Sequence, residues 1–351
     1  MAVPTRPPSN GFVAKARKVY NPIGFTKGYN FVLWFIFAGA MFGFSLARLM
    51  FLDYYGVYCN PNGAPGQGAG PGECFSYSKK DIYQVGIKMH LYTIIPAGVL
   101  VVFQFMPFIR YKAILFHRMN GYIVIVLAIV GTVGAIIIAP VAFGGSLSIR
   151  GWVGTMAIMF IGALVLAIWN IKTLQLEQHR AWMLRAWFYA GSIITVRLIM
   201  IIAASIMSNT SSFRQPIQCD KLASFYDNKD SLLQKYPTCK DNDAWVAVQG
   251  SMSGGAENIG AALSLGFSLG VWLALAIHAI GVEVYLHLTP AESERLRKLS
   301  YQRQLERGFK TPGRAGLTAD RLGDAVKWAP GDDSQPDTKG YDCDSTPVAT
   351  P

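Results

Sequence analysis

The chain is predicted to be an all-α polytopic membrane protein, a bundle of six transmembrane helices with both termini in the cytosol. Three observations predict this. Of 351 residues, 52% are hydrophobic and only 15% charged, against about a quarter charged in soluble domains. Six apolar runs, near 30–51, 84–109, 120–143, 152–171, 183–207 and 259–284, each reach the roughly 20 residues that cross a hydrocarbon core. Lipid offers the backbone no hydrogen bonds, so each run must be a helix that closes its own. Last, the basic residues of the short flanks fall on one face if six helices alternate, which makes that face cytosolic. The net charge of +11 is therefore a topology signal. No motif interleaves basic and aromatic residues on a soluble domain, so nucleic acid is set aside and the lipid bilayer is the expected surrounding.

Residues 1–29 form a polar, basic, cytosolic segment with Arg6, Lys15, Arg17, Lys18 and Lys27. The run that follows is too long for a cleavable signal and reads as the first span. The membrane domain covers 30–288, with outer loops at 52–83 and 208–258. The first loop holds Cys59 and Cys74 and the turn formers of 59–66; the second holds Cys219 and Cys239. Two cysteines in each outer loop suit an oxidising compartment, while the lone Cys343 in the inner tail suits a reducing one. Pairing within each loop is the simplest connectivity; a bridge between loops is the alternative. The placement fits the plasma membrane or an endomembrane, with the cysteine loops extracellular or luminal. Asn209-Thr210-Ser211 is an N-glycosylation sequon on that side. Past the sixth span, Thr289-Pro290-Ala291-Glu292 predicts a helix start, with Thr as cap and Pro in the first turn. A surface helix over 289–310 is expected to use Leu296, Leu299 and Leu305 as its apolar contacts. The Pro-, Gly- and Asp-rich remainder, 311–351, is expected to be disordered. Gly39 with Gly43, Gly131 with Gly134, and Gly266 with Gly270 predict close helix packing.

Ionisable groups inside a span are costly and point to function. Arg48, Lys88, His90, Arg197, His278 and Glu283 qualify. Helix counting sorts the polar candidates into two layers. The cytosolic layer holds His117, His179, His278, Glu283 and His287. Neutral imidazoles there could ligate haem b or a transition metal, with His117, His179 and His287 as the metal set. Arg118 and Arg180, beside two of these histidines at helix starts, would attract an anionic group such as a haem propionate. Interfacial anchoring explains the same residues without chemistry. The outer layer holds Arg48, Lys88, His90 and Arg197. Arg48 and Lys88 can snorkel to the surface. Arg197 sits about ten residues from the outer end of its helix and needs an acceptor: helix carbonyls, Glu257, Asn258 or an anionic ligand. His90 and Arg197 are thus the candidates for substrate or anion binding.

The residues His90 through Arg110, His117-Arg118-x-x-Gly121-Tyr122, Gly144-Gly145, and His179-Arg180-x-Trp182-Met183-x-Arg185 to Arg197-Leu198 resemble the uncharacterised multi-pass membrane family called domain of unknown function 2306. The likeness covers roughly 84–205. It implies a helical bundle without an established reaction, and it implies that His90, His117, His179, Arg185 and Arg197 belong to the family pattern. The cysteine loops and basic tail look like a fungal elaboration, and such fungal proteins can sit beside secondary-metabolite enzymes.

Three classes of function fit these residues. The preferred one is a membrane redox protein with a His-ligated haem or metal near the cytosolic face. The second is an intramembrane enzyme on a lipophilic small molecule, with His179 and Glu283 as acid–base groups and Arg197 holding an oxygen. The third is a non-catalytic transporter, receptor or scaffold.

Overall fold

A computed structural model describes residues 7–62, 68–210, 212–321, 323 and 325–330. Its helices in chain order are α1 (Gly11–Tyr20), α2 (Gly28–Ala47), α3 (Glu73–Ser78), α4 (Asp81–Gln104), α5 (Pro107–Lys112), α6 (Ile114–Ile138), α7 (Leu147–Lys172), α8 (Leu176–Ser208), α9 (Cys219–Ala223), α10 (Lys229–Lys235), α11 (Ala256–His287) and α12 (Pro290–Glu306). Six of them, α2, α4, α6, α7, α8 and α11, are long and apolar enough to cross a membrane. The chain divides into two compact units. One contains Met1–Leu164 with Met183–Tyr285; the other contains Val165–Trp182 with Leu286–Pro351.

The spans are where hydropathy predicts them, but their ends are not. α6 begins at Ile114 and α8 at Leu176, each about two turns before the predicted apolar limit. Polar side chains mark where lipid ends; nothing in His117-Arg118-Met119-Asn120 stops a helix. At the other extreme, α4 stops at Gln104, and Pro107 starts the short α5 with its fixed φ at the first helical position.

In the larger unit, helix packing is set by missing side chains. A Cβ on Gly134 of α6 would lie 2.6 Å from the carbonyl oxygen of Gly86 and 2.7 Å from the backbone nitrogen of His90, both on α4. A Cβ on Gly266 of α11 would lie 2.6 Å from the Met200 carbonyl of α8. Glycine at these sites lets two backbones touch. The pair on α2 behaves otherwise: nothing lies within 4 Å of a Cβ at Gly39 or Gly43, so that predicted packing seam is not used among the described residues.

The structure joins Cys59 to Cys74 and Cys219 to Cys239, the within-loop pairing. The second loop is more ordered than its polarity predicts. It forms a two-stranded antiparallel sheet, β1 (Arg214–Gln218) and β2 (Trp245–Gln249), with Gln215 opposite Val248 and Ile217 opposite Val246. Ile217, Leu222, Leu232 and Val248 pack around the Cys219–Cys239 bridge as a miniature core. Lys235 Nζ donates to Glu257 Oε1 at 2.5 Å, and Tyr226 Oη donates to the same oxygen at 2.9 Å. Burial, then the Glu257 carboxylate, pushes the Tyr226 phenol up to about 12, so it stays a donor.

The smaller unit is built on buried amides. Gln304 of α12 donates through Nε2 to the Thr173 carbonyl at 3.0 Å and to Gln175 Oε1 at 3.1 Å; its own Oε1 accepts from the Gly313 N–H at 2.7 Å. Asn170 Oδ1 accepts from the Leu317 N–H at 2.9 Å. Asp320, 1% exposed, accepts from Arg297 Nη2 at 2.9 Å and from the Trp328 N–H at 3.3 Å. Burial alone would raise the Asp320 carboxyl, but hydrogen bonds from Thr318 and Trp328 and the Arg297 charge outweigh it and hold it below the usual range. In the segment expected to be a disordered tail, Gly313, Leu317, Asp320 and Trp328 make specific polar contacts; residues 322, 324 and 331–351, including Cys343, lie outside the described residues. Leu296 is buried as expected, while Leu305 is 56% exposed. Thr289 makes no side-chain cap to α12; its hydroxyl donates to the Leu286 carbonyl at 3.4 Å. Because Gln304 satisfies three buried partners, Gln304→Ala is expected to cost about 1–3 kcal/mol. It should expose 307–321 to limited proteolysis; unchanged cleavage would refute that role.

Candidate functional site

The polar groups that gather inside the larger unit belong to the outer layer. Arg197 lies 11 residues before Ser208, the last residue of α8 (208 − 197 = 11), or about 16 Å along the axis. His90 lies nine residues after Asp81, the first residue of α4 (90 − 81 = 9), or about 14 Å. Both are thus near half the roughly 30 Å depth of a hydrocarbon core. The two are within electrostatic range of each other.

Arg197 is held by aromatic faces rather than by a carboxylate. Its guanidinium lies 5.1 Å from the Phe143 ring centroid and 5.4 Å from that of Phe267, and those two rings stack at 4.0 Å. Its closest hydrogen-bond acceptor is the Met200 sulfur, at 4.0 Å from Nη1. No carboxylate among the described residues hydrogen-bonds or ion-pairs with it. Of the acceptors expected for it, Glu257 is taken by Lys235 and Tyr226, and Asn258 Oδ1 accepts from the Gly255 N–H at 3.2 Å. Trp152, in the same apolar cluster as Phe267 and Met200, buries its Nε1–H without an acceptor.

Phe143 reaches this place through a strained turn. Its φ is +48°, in the left-handed region that a bulky residue seldom adopts. Gly144 and Gly145 follow at φ +82° and +57°, and a Cβ on Gly145 would collide with the Pro140 carbonyl oxygen. Arg150 fastens the turn, donating from Nε to the Gly145 carbonyl at 2.8 Å. The Phe143 N–H donates to Glu73 Oε2 at 2.9 Å, and Tyr77 Oη donates to the same oxygen at 3.0 Å. Lys221 Nζ stands 3.5 Å from Glu73 Oε1. Glu73 is thus a buried carboxylate that organises the turn, and with Tyr58 and Tyr77 it lies in the electrostatic field of Arg197. Burial, then the Glu73 charge, raises the Tyr58 phenol, and burial raises that of Tyr77; both remain neutral donors at ordinary pH.

His90 Nδ1 is 2.8 Å from the Gly131 carbonyl oxygen. A carbonyl only accepts, so Nδ1 carries the proton and Nε2 keeps its lone pair. No hydrogen bond to Nε2 is present among the described residues.

The cytosolic-layer residues are arranged differently from the expectation. His278 has both ring nitrogens engaged, Nδ1 with the Phe188 carbonyl and Nε2 with Thr195 Oγ1, each at 2.8 Å. Glu283 is a bidentate partner of Arg185, at 2.6 and 2.9 Å. It locks α8 to α11 within the larger unit. His179 Nδ1 donates to the Ala167 carbonyl at 2.9 Å. His117 belongs to the larger unit, His179 and His287 to the smaller one. Among the described residues no group of three or more His, Cys, Asp or Glu that could hold a metal ion is present. Arg118 and Arg180 are the fifth residues of α6 and α8, inside the helices rather than at the exposed N–H groups that would bind an anion. Asn209 follows the last residue of α8, and its Nδ2 donates to the Ser205 carbonyl at 3.4 Å; Ser211 of the sequon lies outside the described residues.

Sequence reasoning overlooked Tyr58, Glu73, Tyr77 and Phe143. One signal was available. Tyr58 precedes Cys59 and Glu73 precedes Cys74, so the predicted bridge already places the two side by side.

Residues 87–218 match the family described as predicted membrane protein (DUF2306). The chain is also 25% identical to "Ava biosynthesis cluster protein G" of Aspergillus versicolor, over 78% of this chain and 93% of that protein. No solved structure matches the chain.

Proposed function

We propose, for this multi-pass membrane protein whose residues 87–218 match the DUF2306 family, that it binds and transforms a lipophilic small molecule bearing an oxygen with negative or partly negative charge. The observation that carries this reading is Arg197, a mid-span guanidinium beside a stacked pair of phenyl rings with no carboxylate among the described residues bonded to it. A central charge costs at least about 2.5–3.5 kcal/mol even on the most lenient insertion scale. A ligand oxygen would offset that cost where Met200 does not. The stacked rings take the apolar part of the ligand, and Trp152 offers a second donor in the same cluster.

The chemistry that fits is proton transfer beside a carbonyl. His90 Nε2 would take a proton from carbon next to the carbonyl, and the electron pair would move onto oxygen as an enolate. Arg197 would hold that oxygen as charge develops. Return of the proton to another carbon completes an isomerisation or primes a ring closure, without any further reactant. The relative named for a biosynthesis cluster supports a biosynthetic intermediate as the ligand. This reading moves the acid–base role from His179 and Glu283 to His90.

Arg197→Met tests it. Methionine keeps an apolar volume beside Met200, so the variant should fold with unchanged or higher stability, because it removes a charge that the bundle does not neutralise. Organic extracts of purified wild-type protein should contain an oxygen-bearing apolar compound, seen by mass spectrometry, that is at least about tenfold depleted in the variant, as loss of a charged hydrogen bond of about 1.5–3 kcal/mol implies. Identical extracts from two equally folded proteins would end the proposal.

A further inference from the structure

The helix α1 stands apart from this site and carries its own surface. Asn10 Oδ1 accepts from the Val13 N–H at 2.8 Å and caps its start. Tyr20, at its end, is buried and stacks on Phe31 of α2 at 5.8 Å, so the helix is tethered to the base of the first span. Phe12 and Val19 are seven residues, or two turns, apart and share a face; they are 79% and 61% exposed. Lys15 lies between them on that face, with Lys18 beside it, and both are exposed. Arg17, Lys18, Asn21 and Pro22 line a shallow depression where the helix ends. The first acidic residue of the chain is Asp53, and among the described residues no ion pair to Lys15 or Lys18 is present.

A bare Phe12 beside lysines is poorly suited to water and well suited to a membrane interface, where an apolar face enters the acyl boundary and lysines reach the headgroups. Charge complementarity names the occupant. We infer that α1 lies in the headgroup layer and holds anionic phospholipid through Lys15 and Lys18, with Phe12 and Val19 in the acyl region. The site follows from the helix itself and is independent of Arg197.

The full chain with Cys343→Ser and Ala16→Cys, labelled at position 16 with an environment-sensitive dye, tests it in nanodiscs. In discs containing phosphatidylserine the dye should emit to the blue and be shielded from aqueous iodide; in phosphatidylcholine alone it should be quenched. Lys15→Glu with Lys18→Glu should abolish the difference, a roughly thirtyfold shift if each lysine contributes the usual headgroup attraction. The unfolding midpoint of the charge-reversed protein should match its parent. Equal quenching in the two lipids, or in parent and charge-reversed protein, would overturn the inference.

Discussion

Gly134→Val is expected to lower the thermal unfolding midpoint more than any conservative change at the lipid-facing surface. Its Cβ would sit within 2.7 Å of backbone atoms of Gly86 and His90, and backbone cannot swing aside as a side chain can. α4 and α6 would have to separate, and overpacking of this kind costs about 1–3 kcal/mol, occasionally more. The same separation would pull His90 from the Gly131 carbonyl that sets its tautomer. Gly39→Val supplies the contrast, since nothing lies within 4 Å of its Cβ. Tryptophan fluorescence melts in detergent should show a clear loss for the first variant and almost none for the second. Equal midpoints would mean that α4 and α6 do not pack through this glycine.

Cys219→Ser combined with Cys239→Ser is expected to cost a similar amount by another route. The bridge closes a loop with a sequence separation of 20, and the chain-entropy estimate for that length is about 3 kcal/mol. The core it staples contains few large apolar side chains, Ile217, Leu222, Leu232 and Val248 among them. So small a cluster cannot supply a surplus of that size. The hairpin should become susceptible to protease while the spans, held by lipid and by each other, stay intact. A hairpin as resistant as the wild type would show that the sheet folds without its staple.

Hydropathy made the six spans legible because lipid demands a long apolar run and an internally bonded backbone. The helix ends were not legible: Ile114 and Leu176 start helices inside stretches that look like linkers, since a helix continues through polar residues once it leaves lipid. The site was half visible. His90 and Arg197 announced themselves as ionisable groups within spans. Tyr58, Glu73 and Phe143 lie in helical turns of five, six and three residues between the spans, too short for periodicity to mark a role, and long-range contacts decide it. The partner of Glu283 was not legible for the same reason. Its partner, Arg185, is 98 residues away in sequence, and a carboxylate without a visible partner looks like an acid–base group.

The within-loop bridges also set an order of assembly. Cys59 and Cys74 can join once both have reached an oxidising compartment, while Arg197 is 123 residues from Cys74 (197 − 74 = 123). At ordinary elongation rates that distance takes on the order of ten seconds to synthesise. The bridge that sets Tyr58 beside Glu73 can therefore close before the ribosome has made Arg197. The rest of its surroundings come later: Phe267, against which Arg197 lies, and Lys221, which stands 3.5 Å from Glu73, both follow Arg197 in the chain.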